Sequence, residues 1–113
     1  MKIIKDQINL TELDDMAKKM FGDLVKAVVD VDKGIVAVDA ELHADLEALL
    51  LEKGSAQKDL WGINIYTQIK GDDFVEFDSM INIRPSQNNR SRTVESQDTR
   101  GKILEIVNKT IKR

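Results

Sequence analysis

The chain has no cysteine, one proline and one histidine among its 113 residues. Without cysteine there is no disulfide, no zinc-thiolate or iron-sulfur centre and no thiol nucleophile, a pattern that suits a reducing cytoplasm. No stretch approaches the ~20 apolar residues of a membrane-spanning helix. Met1 to Asp6 carry none of the apolar run of a signal peptide. Gly-x-Ser-x-Gly, Gly-x-Gly-x-x-Gly and Walker-type loops are all missing, which removes the commonest hydrolase and nucleotide signatures. The expectation is a cytoplasmic protein with no membrane partner, built as a single domain over residues 1–113. A chain of that length can bury roughly 65% of its unfolded surface, enough for one core.

Arginine is missing from the first 83 residues, and all five arginines fall at or after position 84. Residues 1–83 hold 17 acidic side chains against 9 lysines, a balance of −8, while residues 84–113 hold 8 basic against 3 acidic, a balance of +5. Such a split marks an anion-binding end, or two halves that attract each other in the fold.

The elements present alternate between helix and strand patterns. Lys2 to Lys5 can form a short edge strand. Thr11 is placed to cap a helix whose apolar stripe is Leu10, Leu13, Met16, Ala17, Met20 and Phe21, with Gly22 closing it. Leu24–Asp32 and Ile35–Glu41 form a hairpin turning at Asp32-Lys33-Gly34. The motif Asp30-Val31-Asp32-Lys33-Gly34 has its glycine one place early for a calcium loop and lies in a strand pattern, so the EF-hand is rejected. A helix follows from Ala44 to Lys53, then an alternating strand with Trp61, Ile63 and Ile65 inward. Val75, Phe77, Ile81 and Ile83 mark a strand running to Pro85, with Glu76, Asp78, Asn82 and Arg84 outward. A helix from about Asp98 to Ile111 ends the chain. The fold class expected is α+β: a mainly antiparallel sheet of four to five strands with about three helices packed on one face. The other face would then carry Asp39, Glu41, Asn64, Tyr66, Glu76, Asp78, Asn82 and Arg84.

The segment after that last strand is the first candidate site. Asn82, Arg84, Ser86, Asn88, Asn89, Arg90, Ser91 and Arg92 combine three guanidinium groups with hydroxyl and amide donors and contain no acid. Phosphate or carboxylate recognition asks for that set, because the guanidinium fork matches two oxygens at once. The partner would be a small anionic ligand or an acidic protein surface. Nucleic acid is the weaker version, since no aromatic residue lies after Phe77 to stack on bases. The bland alternative pairs these arginines with Asp39, Glu41, Glu76 or Asp78 inside the fold.

A second candidate is the acidic surround of the only histidine, Asp39-Ala40-Glu41-Leu42-His43-Ala44-Asp45. Asp39, Glu41 and His43, with Asp78, would supply oxygen and nitrogen ligands for a divalent cation in a metal-assisted hydrolase. No other cofactor is expected. The bland account is a solvated sheet face and a helix-start histidine with one hydrogen bond. A third possibility is a homodimer formed through the polar sheet face or the edge strand.

Asp39-Ala-Glu-Leu-His-Ala-Asp45, Leu60-Trp-Gly-Ile-Asn64 and Phe77-Asp-Ser-Met-Ile-Asn-Ile-Arg-Pro-Ser-Gln-Asn-Asn-Arg-Ser-Arg92 resemble segments of a family of short prokaryotic proteins defined only as a domain of unknown function. The resemblance implies no activity, cofactor or catalytic residue.

Overall fold

Along Leu24–Asp30 the side chains of both parities are buried: Val25, Ala27 and Val29 on one side, Val28 and Asp30 on the other. Side chains alternate across a strand with a period of two, so a sheet built on this segment is covered on both faces. The structure, a computed structural model, describes all residues from Met1 to Arg113. In chain order the elements are β1 (Lys2–Ile4), β2 (Ile8–Asn9), α1 (Leu10–Met20), β3 (Leu24–Asp30), β4 (Ile35–Val38), α2 (His43–Glu52), β5 (Leu60–Tyr66), β6 (Val75–Glu76), α3 (Gln97–Thr110) and β7 (Ile111–Lys112). Short 3-10 turns lie at Gln57–Asp59, Gly71–Phe74, Met80–Asn82 and Pro85–Gln87.

The α+β class and the antiparallel sheet are as the sequence implies. Five strands run in the order β1-β4-β3-β5-β6, every neighbouring pair antiparallel. The β3–β4 hairpin turns tightly because Asp30 Oδ1 accepts from the backbone N–H of Asp32 and of Lys33, both at 2.9 Å. Gly34, at φ 70°, supplies the left-handed residue that this turn requires. A separate parallel pair joins β2 to β7, tying the end of the chain beside the start of α1.

The helices do not share one face. Leu13 and Ala17 of α1 and Ile103 and Val107 of α3 pack with Val25, Ala27, Val29, Val36, Val38, Trp61, Ile63 and Ile65. Leu46 and Leu50 of α2 pack instead with Val28, Ala37 and Leu60, on the opposite side. The cause is the second parity of apolar residues: Val28, Ala37 and Leu60 would face water if all three helices lay together. Burying a valine or leucine side chain is worth roughly 1.5–3 kcal/mol and the alanine methyl about 0.8 kcal/mol, and α2 supplies the cover. It covers only part of that face. Across the sheet Lys26 pairs with Asn64 and Asn64 with Glu76, a polar row just beyond the first residue of α2. No helix is long and apolar enough to cross a membrane.

Helix limits differ slightly from the sequence expectation. Helix α1 starts at Leu10 after Asn9 rather than after Thr11, and α2 starts at His43.

Candidate functional site

The strand expected to run from Val75 to Arg84 ends at Glu76, and its end is what shapes the site. After it the chain folds into the Met80–Asn82 turn, with Ser79 Oγ accepting from the Ile81 N–H at 3.3 Å. The facing reverses from Asn82 on: Asn82 and Arg84 are buried, whereas Ile83 is exposed. Gly62 permits the turn to sit this close. A Cβ on Gly62 would lie 2.5 Å from Ser79 Cβ. Asn82 then closes the edge of β5 with its side chain, Oδ1 accepting from Gly62 N at 2.8 Å and Nδ2 donating to Gly62 O at 2.9 Å.

Arg84 continues the same edge. Its guanidinium donates to the carbonyls of Leu60, at 2.7 Å, and Gln57, and lies 4.2 Å from the centre of the Trp61 ring. The alternation in the sequence had placed Asn82 and Arg84 outward; a two-residue β6 leaves β5 with unpaired backbone groups, and these two side chains fill that need.

The remaining loop residues are likewise engaged by the fold to different degrees. Backbone bonds between Arg84 and Asn89 close the loop, and Asn88 takes the left-handed turn position at φ 60°. Asn89 is buried, its Nδ2 reaching the carbonyls of Asn82 and Thr93 at 2.8 and 2.7 Å, and its Oδ1 accepting from Glu95 N at 2.9 Å. The N–H groups of Arg90 and Ser91, together with Ser91 Oγ, all donate to the Glu95 carboxylate at 2.7 to 2.9 Å. Those bonds, that from Ser91 Oγ foremost, hold the Glu95 carboxyl below its usual range. The loop thus receives an anionic group from its own chain. Ser86 and the Arg90 side chain are exposed and make no hydrogen bond. Arg92 pairs with Asp78, Nε to Oδ1 at 2.7 Å and Nη2 to Oδ2 at 3.3 Å. Of the four acids considered as internal partners, Asp78 alone holds an arginine; Asp39, Glu41 and Glu76 do not.

The four metal candidates are not gathered. No group of three or more His, Asp or Glu side chains is arranged to hold a metal ion. Glu41 is exposed, and Asp39 stands at the end of β4 with φ 74°.

His43 and Asp78 do meet, at a pocket of about 200 Å³ lined by Lys26, Leu42, His43, Asn64, Asp78, Ser79, Met80, Ile81 and Arg92. It opens where α2 begins and the polar row of the sheet emerges. His43 is buried, with Nε2 2.7 Å from the Ile63 carbonyl oxygen. A carbonyl can only accept, so Nε2 carries the proton and Nδ1 is left as an acceptor without a partner. Burial, above all, pulls the imidazole below its usual range, with Lys26 and Arg92 adding to the effect. At neutral pH the ring is therefore uncharged.

Asn64 gives a second acceptor. Its Nδ2 donates to Glu76 Oε1 at 2.8 Å and to the Asp78 carbonyl at 3.3 Å, which fixes the amide orientation. Its Oδ1 is buried and has no donor. Arg92 is held at the rim by its backbone, whose carbonyl accepts from Ser79 N at 3.1 Å and Asn82 Nδ2 at 3.0 Å. Lys26 and Asn64 were not singled out from the sequence as site residues. The signal was there in the strand alternation, which puts a lysine and an asparagine on the side of the sheet where α2 begins.

A larger cleft of about 560 Å³ includes Lys58, Asp59, Trp61, Asn88, Asn89, Glu95, Ser96 and Lys102. Its two lysines are balanced by two acids; Lys58 lies 3.4 Å from Asp59, and Glu95 is already bonded three times. It offers an anion no excess charge.

The fold and the pocket define an α+β domain with an antiparallel sheet and a small, mixed polar and apolar pocket at one helix start. A family model described as Protein of unknown function (DUF5674) matches residues 2–110, and the chain belongs to that family. No curated protein and no solved structure matches it.

Proposed function

We propose that this domain binds a small anionic ligand, and that the ligand enters the pocket between Lys26, His43, Asn64 and Arg92. The observation that carries this is the charge on the pocket lining: Lys26 and Arg92 both line it, Asp78 offsets one of them, and His43 is neutral, which leaves one positive charge in excess among the lining side chains. The Lys26 ammonium also lies 5.0 Å from the centre of the Phe21 ring, and Glu76, bonded to Asn64, stands just outside the lining. Arg92 Nη1 makes no bond within the protein and remains available to a ligand oxygen. Of the arginine-bearing segment, Arg92 reaches this pocket, while Asn82, Arg84 and Asn89 serve the fold.

A metal-assisted hydrolase would need a ligand set that Asp39, Glu41, His43 and Asp78 do not form together. The binding role is therefore the one supported here.

The test follows the His43 ring and Asn64 side-chain amide resonances while acetate and then inorganic phosphate are added. Saturable shifts are expected at both residues in the wild-type protein, and their loss is expected in a Lys26→Ala, Arg92→Ala double variant. Shifts of equal size in that variant, or none in the wild-type protein, would refute the proposal.

A further inference from the structure

The geometry points to a particular class of ligand for this pocket: a monocarboxylate with a neutral N–H donor and an apolar side chain, as in an N-acylated amino acid or the last residue of a peptide. This inference rests on the anion-binding role proposed above and narrows it.

Three features lead there. The first is charge. With Asp78 bonded to two nitrogens of Arg92, one net positive charge remains among Lys26, Arg92 and Asp78, which matches a carboxylate better than a dianionic phosphate.

The second is the pair of acceptors. Asn64 Oδ1 is buried with no donor, and a buried acceptor left unpaired costs about 1–3 kcal/mol. His43 Nδ1 is an acceptor as well, because Nε2–H is committed to Ile63. A simple carboxylate or a fully ionised phosphate ester brings only acceptors and would leave both unmatched. Of the two, Asn64 Oδ1 is closed off from solvent and His43 Nδ1 is not, so a ligand N–H donates to His43 Nδ1. A charged amine would meet Lys26 and Arg92 at close range, so a neutral amide N–H is the better donor.

The third is the apolar rim. Leu42 and Met80 are 56% and 65% exposed and line the same pocket, with Ile81 beside them. Methionine adapts readily to varied apolar shapes. The volume of 200 Å³ equals about seven waters at ~30 Å³ each. That accommodates a carboxylate, its α-carbon and an amide nitrogen, leaving the side chain to lie over Leu42 and Met80.

Calorimetric titration of the wild-type protein with a matched probe series tests this without relying on any variant to fold. N-acetyl-L-leucine carries all three groups, 4-methylpentanoate lacks the N–H, N-acetylglycine lacks the apolar side chain, and N-acetyl-L-leucinamide lacks the carboxylate. N-acetyl-L-leucine is expected to bind about tenfold more tightly than each of the other three, in line with the loss of one buried hydrogen bond or a comparable apolar contact. The tripeptide Ala-Ala-Leu separates the two sources: equal or tighter binding than N-acetyl-L-leucine assigns the site to a peptide end, weaker binding to a small acylated amino acid. If all carboxylates bind alike, or phosphate binds best, this ligand class is wrong while the anion pocket stands. If neither phosphate nor any carboxylate binds, both fall together.

Discussion

The side-chain amide of Asn82 is hydrogen-bonded to both backbone groups of Gly62, at 2.8 and 2.9 Å. One asparagine thereby does for the edge of β5 what a further strand residue would have done, and the absence of a side chain on Gly62 lets the Met80–Asn82 turn come within reach.

The first prediction concerns this pair. Asn82→Ala leaves the Gly62 N–H and carbonyl, both buried, without partners and should cost about 2–4 kcal/mol of folding stability. Gly62→Ala should cost about 1–3 kcal/mol, because the added Cβ meets Ser79 rather than open space. Urea unfolding measures both. A change below half a kcal/mol in either variant would mean that the turn moves away from β5 easily.

Arg84 and Arg92 should separate cleanly. Arg84 is buried against Trp61 and bonded to two carbonyls, so Arg84→Ala removes packing and orphans those groups, at about 2–4 kcal/mol. Arg92 forms an ion pair that is half in water, its side chain 56% exposed, and Arg92→Ala should change stability by less than about 1 kcal/mol. Binding of small carboxylates should respond the other way, lost in Arg92→Ala and kept in whatever fraction of Arg84→Ala remains folded. Thermal unfolding with and without acetate distinguishes the two; equal melting temperatures for the variants would contradict the assignment of Arg84 to the fold.

These residues also show what could be seen in the sequence. The alternation of Trp61, Ile63 and Ile65 located a strand correctly, because β3 pairs with β5 along its whole length, from Leu60 to Tyr66. The same alternation from Val75 to Ile83 misplaced Asn82 and Arg84, because periodicity records what a segment could do and only the partner decides how far it pairs. Here the partner offers a glycine, and nothing local to residues 75–84 announces it. Val28, Ala37 and Leu60, apolar on the second parity, were the signal of a sheet covered on both sides, and the expectation of three helices on one face passed over it. At the site, His43, Asp78 and Arg92 were visible as chemistry-bearing residues. Their meeting was not, since it depends on where α2 begins relative to Lys26 and Asn64.

Glu95 gives a third prediction. Its carboxylate accepts from the N–H groups of Arg90 and Ser91, so Glu95→Ala should expose both amides and speed their exchange with solvent, leaving that of the β5 amides unchanged. Added acetate should partly restore the protection, because two N–H groups and a serine hydroxyl remain arranged for an anion. Unchanged exchange at Arg90 and Ser91 would show that the loop is held by Asn89 alone.

The last prediction is the response to acid, which should come in two stages. His43 titrates lower in the folded chain than its ordinary 6.5, mainly because the ring is buried. Its contribution is present above 6.5 and is lost as pH falls from there towards the folded value, since the unfolded chain takes up the proton first. Asp14 has the same sign at lower pH. Bonds from Gln68, Lys18 and Thr67 bring it from 3.8 to about 2, so its contribution is present above 3.8 and disappears as pH falls through about 2. A single proton can give a slope of at most about 1.4 kcal/mol per pH unit. Urea unfolding at pH 7, 6, 5, 4, 3 and 2 should therefore show stability falling in the wild-type protein. His43→Gln keeps an N–H for the Ile63 carbonyl but cannot titrate, and the decline just below 6.5 should flatten. Asp14→Asn should leave that upper stage intact and weaken the response below 3.8. If His43→Gln follows the wild-type curve at every pH, the imidazole is not the group that senses acid, and its neutral, accepting Nδ1 in the pocket loses its support.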